Sequence, residues 1–148
     1  MATTPNSVIT VQTPLVVSAS LAAVTACATR APTAVAGLAA ANIFQLVGTS
    51  ANGQRIERIY VKGCSNSISA TTAAQTVIIW ENDGVTAWPI DELLVTATLP
   101  STSAASFQTY NTYTDFVLPA THSLWCSTTV TTTAATTALS VTATGGLL

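Results

Sequence analysis

Charged side chains are scarce in this chain, and their scarcity excludes several classes of partner. Asp, Glu, Lys and Arg together make up 7% of the 148 residues, whereas they make up about a quarter of an ordinary soluble domain. Only four residues are basic, too few for the positive patch with which nucleic-acid-binding proteins displace counterions. The same shortage argues against a polybasic membrane anchor. We therefore predict that neither nucleic acid nor a membrane is a partner.

Histidine and cysteine are also rare, which leaves little material for a metal centre. The chain has one histidine, His122, and three cysteines, Cys27, Cys64 and Cys126. They form neither the Cys-x-x-Cys nor the His-x-x-x-His pairs that zinc sites use. An odd number of widely spaced cysteines is not a disulfide framework, so we interpret them as free thiols of a protein made in a reducing cytosol. We predict no metal and no cofactor.

Long hydrophobic runs are missing as well. The longest apolar-leaning stretch, residues 15–28, is interrupted by Ser18, Ser20 and Thr25. It is too short and too polar to span a bilayer. No Lys or Arg precedes it, whereas a secretory signal begins with positive charge. We therefore expect a chain that is not secreted.

Motifs of catalytic sites are not present either. His122 has no Gly-x-Ser-x-Gly nucleophile elbow with which to form a hydrolase triad. A glycosidase needs two carboxylates lining a cleft. Glu81 and Asp83 instead flank a predicted turn, where acidic residues serve turn geometry, and Asp91-Glu92 begins a predicted strand. We therefore predict that the chain is not an enzyme and has no catalytic residues.

Threonine, alanine and serine take the place of charge. Threonine alone accounts for about a fifth of the chain, and 49% of the residues are hydrophobic, a normal globular fraction. Small, neutral, β-branched residues are well suited to strands. A monomer with so little charge would be poorly protected against self-association. These features indicate a β-rich building block whose surface is largely covered by partners.

Hydrophobic alternation and turn signals predict about eight strands. Asn52-Gly53 and Asp83-Gly84 are typical of hairpin turns, and an Ala-rich segment at residues 34–41 is the only candidate for a helical turn. Short strands at such spacing are typical of a β-sandwich, a jelly roll or a barrel. The predicted strands are residues 22–29, 42–48, 54–63, 76–81, 85–88, 91–99, 124–131 and 139–144.

Three of the predicted strands have patterns that indicate their place in the sheets. Residues 76–81 are apolar on both faces, which predicts a central strand. Pro89, just beyond residues 85–88, indicates a bulge or an edge. Strict alternation in residues 54–63 predicts two faces, one with Arg55, Glu57, Ile59 and Val61 and the other with Ile56, Arg58, Tyr60 and Lys62.

We predict one sandwich domain, residues 21–148, preceded by an extended N-terminal arm, residues 1–20. The arm contains Val8, Ile9 and Val11, a strand-like run that ends before Pro14. These three residues are our candidate partner contacts, because an extended segment can add a strand to the exposed edge of a neighbour's sheet.

Aromatic side chains offer one alternative. Residues 110–113, Tyr-Asn-Thr-Tyr, are predicted to form a loop. Exposed Tyr110 and Tyr113 in such a loop would suit carbohydrate binding, although aromatic residues are also enriched in cores and subunit interfaces.

Several short motifs resemble those of small jelly-roll virion proteins of tailed bacteriophages. The resemblance covers residues 40–148. The motifs are residues 42–46 (Asn-Ile-Phe-Gln-Leu), 53–59 (Gly-Gln-Arg-Ile-Glu-Arg-Ile), 77–80 (Val-Ile-Ile-Trp), Leu118-Pro119 followed by Leu124-Trp125, and Gly145-Gly146. Two departures are the lack of a glycine in residues 120–123 and of an acidic residue in the Gly-Gly-Leu-Leu tail.

The resemblance implies a jelly-roll-like antiparallel β-sandwich that forms a homotrimer. It implies a capsid cement or decoration protein, or a head-fibre base protein, made in the cytoplasm of a bacterial host. The expected partner is the major capsid protein of the same phage, and the expected location is the outer surface of the virion. The alternative function is a receptor- or carbohydrate-binding module of a head or tail fibre.

Overall fold

All regular structure in the described part of the chain is β-strand. The computed structural model describes residues 13–27, 29–34, 42–64, 71–133 and 138–148. No helix in these ranges is long and apolar enough to cross a membrane. Nine strands occur there: β1 (Thr13–Leu21), β2 (Thr33–Ala34), β3 (Phe44–Val47), β4 (Gln54–Gly63), β5 (Gln75–Asn82), β6 (Thr86–Val95), β7 (Gln108–Leu118), β8 (Ser123–Thr128) and β9 (Leu139–Leu147).

The strands form two antiparallel sheets with a nested order. One sheet has the order β1-β9-β4-β7 and the other the order β2-β6-β5-β8-β3. Strands from the first half of the chain pair with strands from the second half in reverse, β1 with β9, β3 with β8, β4 with β7 and β5 with β6. This is the strand order of a jelly roll. The predicted jelly-roll-like antiparallel sandwich is confirmed, with nine strands rather than about eight.

The main core lies between the two sheets. Alternate residues of a strand share one face, and β9 contributes Leu139, Val141 and Ala143 to the core in this way. Each large side chain buried there contributes about 1.5–3 kcal/mol. The predicted alternation of residues 139–144 is confirmed.

Strand β5 is buried on both faces. Val77 and Ile79 belong to the main core, whereas Ile78 and Trp80 belong to a second cluster on the other face of their sheet. That second cluster also contains Cys27, Ile43, Ala87 and the partly buried Trp125. The indole nitrogen of Trp80 donates a hydrogen bond to Ser127 Oγ at 3.0 Å. The predicted central strand is therefore confirmed.

Strand β4 does not alternate strictly. Its register against both neighbours shifts between Ile56 and Arg58. As a result Ile56, Ile59 and Val61 are all fully buried in the core. The predicted division of residues 54–63 into two strictly alternating faces is wrong, because the extra residue Glu57 reverses the phase of the strand.

The predicted boundary between arm and domain is also wrong. Residues 13–20, assigned to the arm, form most of β1, which pairs with β9 along its whole length. Leu15, Val17 and Ala19 pack against the core. Pro14 lies within β1 and is tolerated because β1 is an edge strand. The sandwich therefore already includes Thr13.

Other strand boundaries differ from the predictions. In residues 22–29 the described part is a loop, held by hydrogen bonds such as Cys27 N to Thr128 O at 2.7 Å. The predicted strands 85–88 and 91–99 are parts of one strand, β6, with the predicted bulge beside Pro89. The segment 124–131 leaves the sheet after Thr128. Most of the Ala-rich segment, residues 35–41, lies outside the described residues.

The predicted hairpin turn at Asp83-Gly84 is confirmed, because it joins the paired strands β5 and β6. Asn52-Gly53 also turns the chain, but the hairpin predicted there is wrong, because it links β3 to β4, which belong to different sheets. Gly53 and Gly84 have φ angles of 87° and 97°, a region that glycine adopts readily. Asp83 Oδ1 accepts hydrogen bonds from the backbone N–H groups of Thr86 and Val85, each at 2.8 Å. These two bonds lower the pKa of Asp83. The predicted role of Asp83 in turn geometry is confirmed.

Gly145 should be the glycine least tolerant of substitution. A Cβ atom at this position would lie 1.9 Å from the carbonyl oxygen of Arg55, beside the β4 bulge. We expect Gly145→Ala to lower the free energy of unfolding by at least about 2 kcal/mol, measured by chemical denaturation. Gly48→Ala is the control, because a Cβ there would meet only Gln45 Nε2 at 4.0 Å. Equal stability of the two variants would contradict the close approach of β9 to β4.

Candidate functional site

The exposed side of the four-stranded sheet presents a regular array of polar side chains. Register places eleven of them, together with the apolar Val16, in three rows across the sheet. We call these twelve residues the outer face. The rows are Val16, Thr144, Arg58 and Thr112; Ser18, Thr142, Tyr60 and Tyr110; and Ser20, Ser140, Lys62 and Gln108. Six of the twelve are serine or threonine, and none carries a carboxylate.

Arg58 lies in the first of these rows, between Thr144 and Thr112. Its Nη1 atom donates a hydrogen bond to the Tyr60 hydroxyl at 2.6 Å. Its guanidinium carbon lies 5.4 Å from the centre of the Tyr60 ring and 5.0 Å from that of Tyr110, within the range of cation–π attraction. The hydrogen bond to Tyr60 raises the pKa of Arg58 further. The sheet therefore holds one permanent positive charge in a fixed position.

Two shallow hollows lie on this side of the sheet. The larger, about 430 Å³, includes Arg55, Arg58 and Glu57 in its lining, together with threonines of β7 and β9. The smaller, about 230 Å³, is lined by Tyr60, Lys62, Gln108, Ser140 and Thr142. Since Arg58 lines one hollow and its partner Tyr60 lines the other, this hydrogen-bonded pair separates them.

A third hollow, about 270 Å³, lies where the edges of the two sheets meet. It is lined by Glu81, Ile90, Asp91, Tyr113 and Phe116. Asp91 Oδ2 accepts hydrogen bonds from Asn111 Nδ2 at 2.7 Å and from the Tyr113 hydroxyl. Burial, with the adjacent carboxylate of Asp91, raises the pKa of Tyr113, which keeps this phenol protonated as a donor. These bonds join β6 of one sheet to β7 of the other.

The side chains of His122 and Glu81 are in hydrogen-bond contact near this hollow. His122 Nδ1 lies 2.7 Å from Glu81 Oε1, and the two side chains are 26% and 23% exposed. His122 follows Thr121, whose φ of 69° belongs to the turn before β8. We predicted that Glu81 serves turn geometry. In the structure its side chain contacts His122, and this contact joins the end of β5 to the start of β8.

The residues predicted from the sequence to contact a partner or a sugar do not form one site in the described part of the chain. Val8, Ile9 and Val11 lie outside the described residues. The predicted loop at residues 110–113 is wrong, since these residues lie within β7. Strand alternation places Tyr110 on the outer face and Tyr113 on the opposite side, where it contacts Asp91. The loop prediction failed because β7 is an edge strand with polar residues on both faces.

The arrangement of Arg58, Tyr60 and Tyr110 was missed. Arg58 and Tyr60 are two positions apart, so they are expected to lie on the same face of a strand. This spacing could have indicated that the two side chains are neighbours. Tyr110 is 50 positions further along the chain than Tyr60 and meets it only because β7 pairs with β4. A single sequence does not supply that pairing.

Cysteine chemistry and metal ligation find no support in the described residues. No group of three or more His, Cys, Asp or Glu side chains there could hold a metal ion. All three cysteines are free, with Cys27 and Cys126 buried and Cys64 exposed. Burial raises the pKa of Cys126 to about 12, so this thiol stays protonated at neutral pH.

Comparisons with known proteins do not assign a family. No protein-family model, no curated protein and no solved structure matches the chain. Function is therefore inferred from the strand order and from the surfaces described above.

Removal of the Tyr113 hydroxyl should loosen the joint between the sheets. Tyr113→Phe keeps the ring but removes one of the donors to Asp91, and we expect the free energy of unfolding to fall by about 1–2 kcal/mol. Tyr110→Phe is the matched control, because its hydroxyl lies on the exposed outer face, and it should change stability by less than about 0.5 kcal/mol. Denaturation of both variants at neutral pH measures the difference, and an unchanged Tyr113→Phe variant would contradict the role given to this bond.

Proposed function

We propose that this chain is a structural virion protein, a cement or decoration protein that forms a homotrimer on the outer capsid surface of a tailed bacteriophage. Its partner is then the major capsid protein of the same phage, and its site of synthesis is the cytoplasm of the bacterial host. The observation that carries this proposal is the jelly-roll strand order combined with a sheet face that is rich in hydroxyl groups and carries no carboxylate among its twelve residues.

The physical requirements of a cement protein match this surface. Clamping a shell against internal pressure needs buried area and shape complementarity rather than chemistry. Serine and threonine side chains cost less to remove from water than lysine or glutamate, which interfaces disfavour. A two-sheet molecule also offers separate surfaces to sister subunits and to the shell.

We propose no catalytic role for the hollow between the sheets. Its two carboxylates already have partners, Glu81 in the contact with His122 and Asp91 in the hydrogen bonds from Tyr113 and Asn111. A glycosidase would need one of them as a free acid and the other as a nucleophile or base. Their contacts instead support a structural role at the edge of the sandwich.

The position of β1 supports the proposed contact between the segment that precedes it and a neighbouring molecule. This strand is an edge of the four-stranded sheet and begins at Thr13. The segment before it, with Val8, Ile9 and Val11, would therefore leave the domain at a sheet edge. An extended segment of this kind can continue into a neighbour and pair with an exposed strand there.

The solution mass of the purified chain tests the trimer. Light scattering after size exclusion should give a mass near three times 15.1 kDa, unchanged on moderate dilution. Low surface charge leaves a lone subunit open to association, and the expected number of three subunits comes from the resemblance to jelly-roll virion proteins. A folded species of 15.1 kDa would contradict the trimer.

Deletion of residues 1–12 tests the arm. Because the deletion ends before β1, the free energy of unfolding should be unchanged, while affinity for capsids of the same phage should fall at least about tenfold, or about 1.4 kcal/mol. Co-sedimentation with capsids measures the affinity. Deletion of residues 1–21 is the contrasting variant, since it removes β1 and should destabilise the sandwich. Full capsid affinity after the shorter deletion would refute the role of Val8, Ile9 and Val11.

A further inference from the structure

The positive charge of this chain is concentrated on one side of the molecule. Three of its four basic residues, Arg55, Arg58 and Lys62, lie on or beside the outer face, although the net charge of the chain is −2. The fourth, Arg30, forms an ion pair with Glu92 of the other sheet, with Nε 2.5 Å from Oε1. The outer face is therefore the cationic surface of a weakly acidic protein.

We infer that the outer face binds a glycan that carries a sugar carboxylate, such as a uronic or sialic acid. Arg58 supplies the anion contact. A guanidinium has five N–H donors, and within the described part of the chain one of them, on Nη1, is engaged in the bond to Tyr60. The remaining donors can hold a carboxylate in a bidentate arrangement. The rings of Tyr60 and Tyr110 next to the guanidinium keep it in place.

The surroundings of Arg58 match the rest of a sugar. Tyr110 is 53% exposed and tilted by 46° against Tyr60 at a ring separation of 5.6 Å, so it offers an aromatic surface against which a sugar ring can pack. Hydroxyls of Thr112, Thr144 and Thr142 line the hollows beside it. Few, well-placed polar groups around an apolar contact are typical of small-ligand sites.

The carboxylates nearby favour a glycan over an acidic protein surface. Glu57 is 50% exposed and lies 3.7 Å from Arg55, and Asp115 lines a hollow next to the same arginine. Both would repel a densely anionic partner but can accept hydrogen bonds from sugar hydroxyls. A ligand with one carboxylate and many hydroxyls therefore fits this charge pattern. The inference does not depend on the virion role.

The test is titration calorimetry of the full chain at low salt. The probes are an oligosaccharide with a single uronic acid, 3′-sialyllactose, a neutral galactose tetramer and a short polyglutamate. We expect at least one acidic sugar to bind at least about tenfold tighter, or about 1.4 kcal/mol, than the neutral tetramer and the polyglutamate. Binding of neither acidic sugar, or equal binding of polyglutamate, overturns the inference; the second result would indicate an acidic protein partner instead.

Matched arginine variants locate the site. Arg58→Gln should weaken binding of the acidic sugar at least about tenfold, whereas Arg30→Gln removes an exposed arginine from the other sheet and should change it less than about twofold. Lys62→Gln, at an exposed position, provides a second variant should Arg58→Gln fold poorly. Circular dichroism and solution mass confirm that each variant keeps its fold and assembly. Equal losses in Arg58→Gln and Arg30→Gln would overturn the assignment to the outer face.

Discussion

The extra residue in β4 is the constraint on which the rest of this structure depends. By reversing the phase of the strand at Glu57, it allows Ile56, Ile59 and Val61 to share the core. The same reversal turns Arg58, Tyr60 and Lys62 outward together. An uninterrupted strand would bury Arg58 whenever Ile56 was buried, and an unpaired buried charge is among the most costly defects in a core. The core and the cationic face are therefore two results of one irregularity.

The fold could be predicted from the sequence wherever the apolar residues of a strand follow one simple pattern, either alternating or continuous. Residues 76–81 and 139–144 are of this kind, and β5 and β9 lie there. The turns at Gly53 and Gly84 followed from local chemistry. Strand β7 was missed because its residues 108–115 are mostly polar on both faces, and β1 because Pro14 suggests an end to a strand.

The surfaces that matter for function were harder to predict, for a physical reason. Tyr60 and Tyr110 are neighbours only through the pairing of β4 with β7, and Asp91 meets Tyr113 only where two sheets come together. Such contacts depend on the order of strands, which local patterns do not contain. The bulge was hidden as well, because Ile56, Ile59 and Val61 satisfy no single alternation and either phase leaves at least one of them outside.

The pairing of the first and last described strands has a mechanical consequence. β1 and β9 run antiparallel over nine residue pairs, from Thr13 with Leu147 to Leu21 with Leu139. A tension applied through the segment before Thr13 acts along the axis of β1. It therefore loads the whole ladder in shear, so that its hydrogen bonds must break together rather than one after another. A domain tethered by its N-terminal end would thus resist a pull along the axis of β1 more strongly than a pull that peels this strand away from β9.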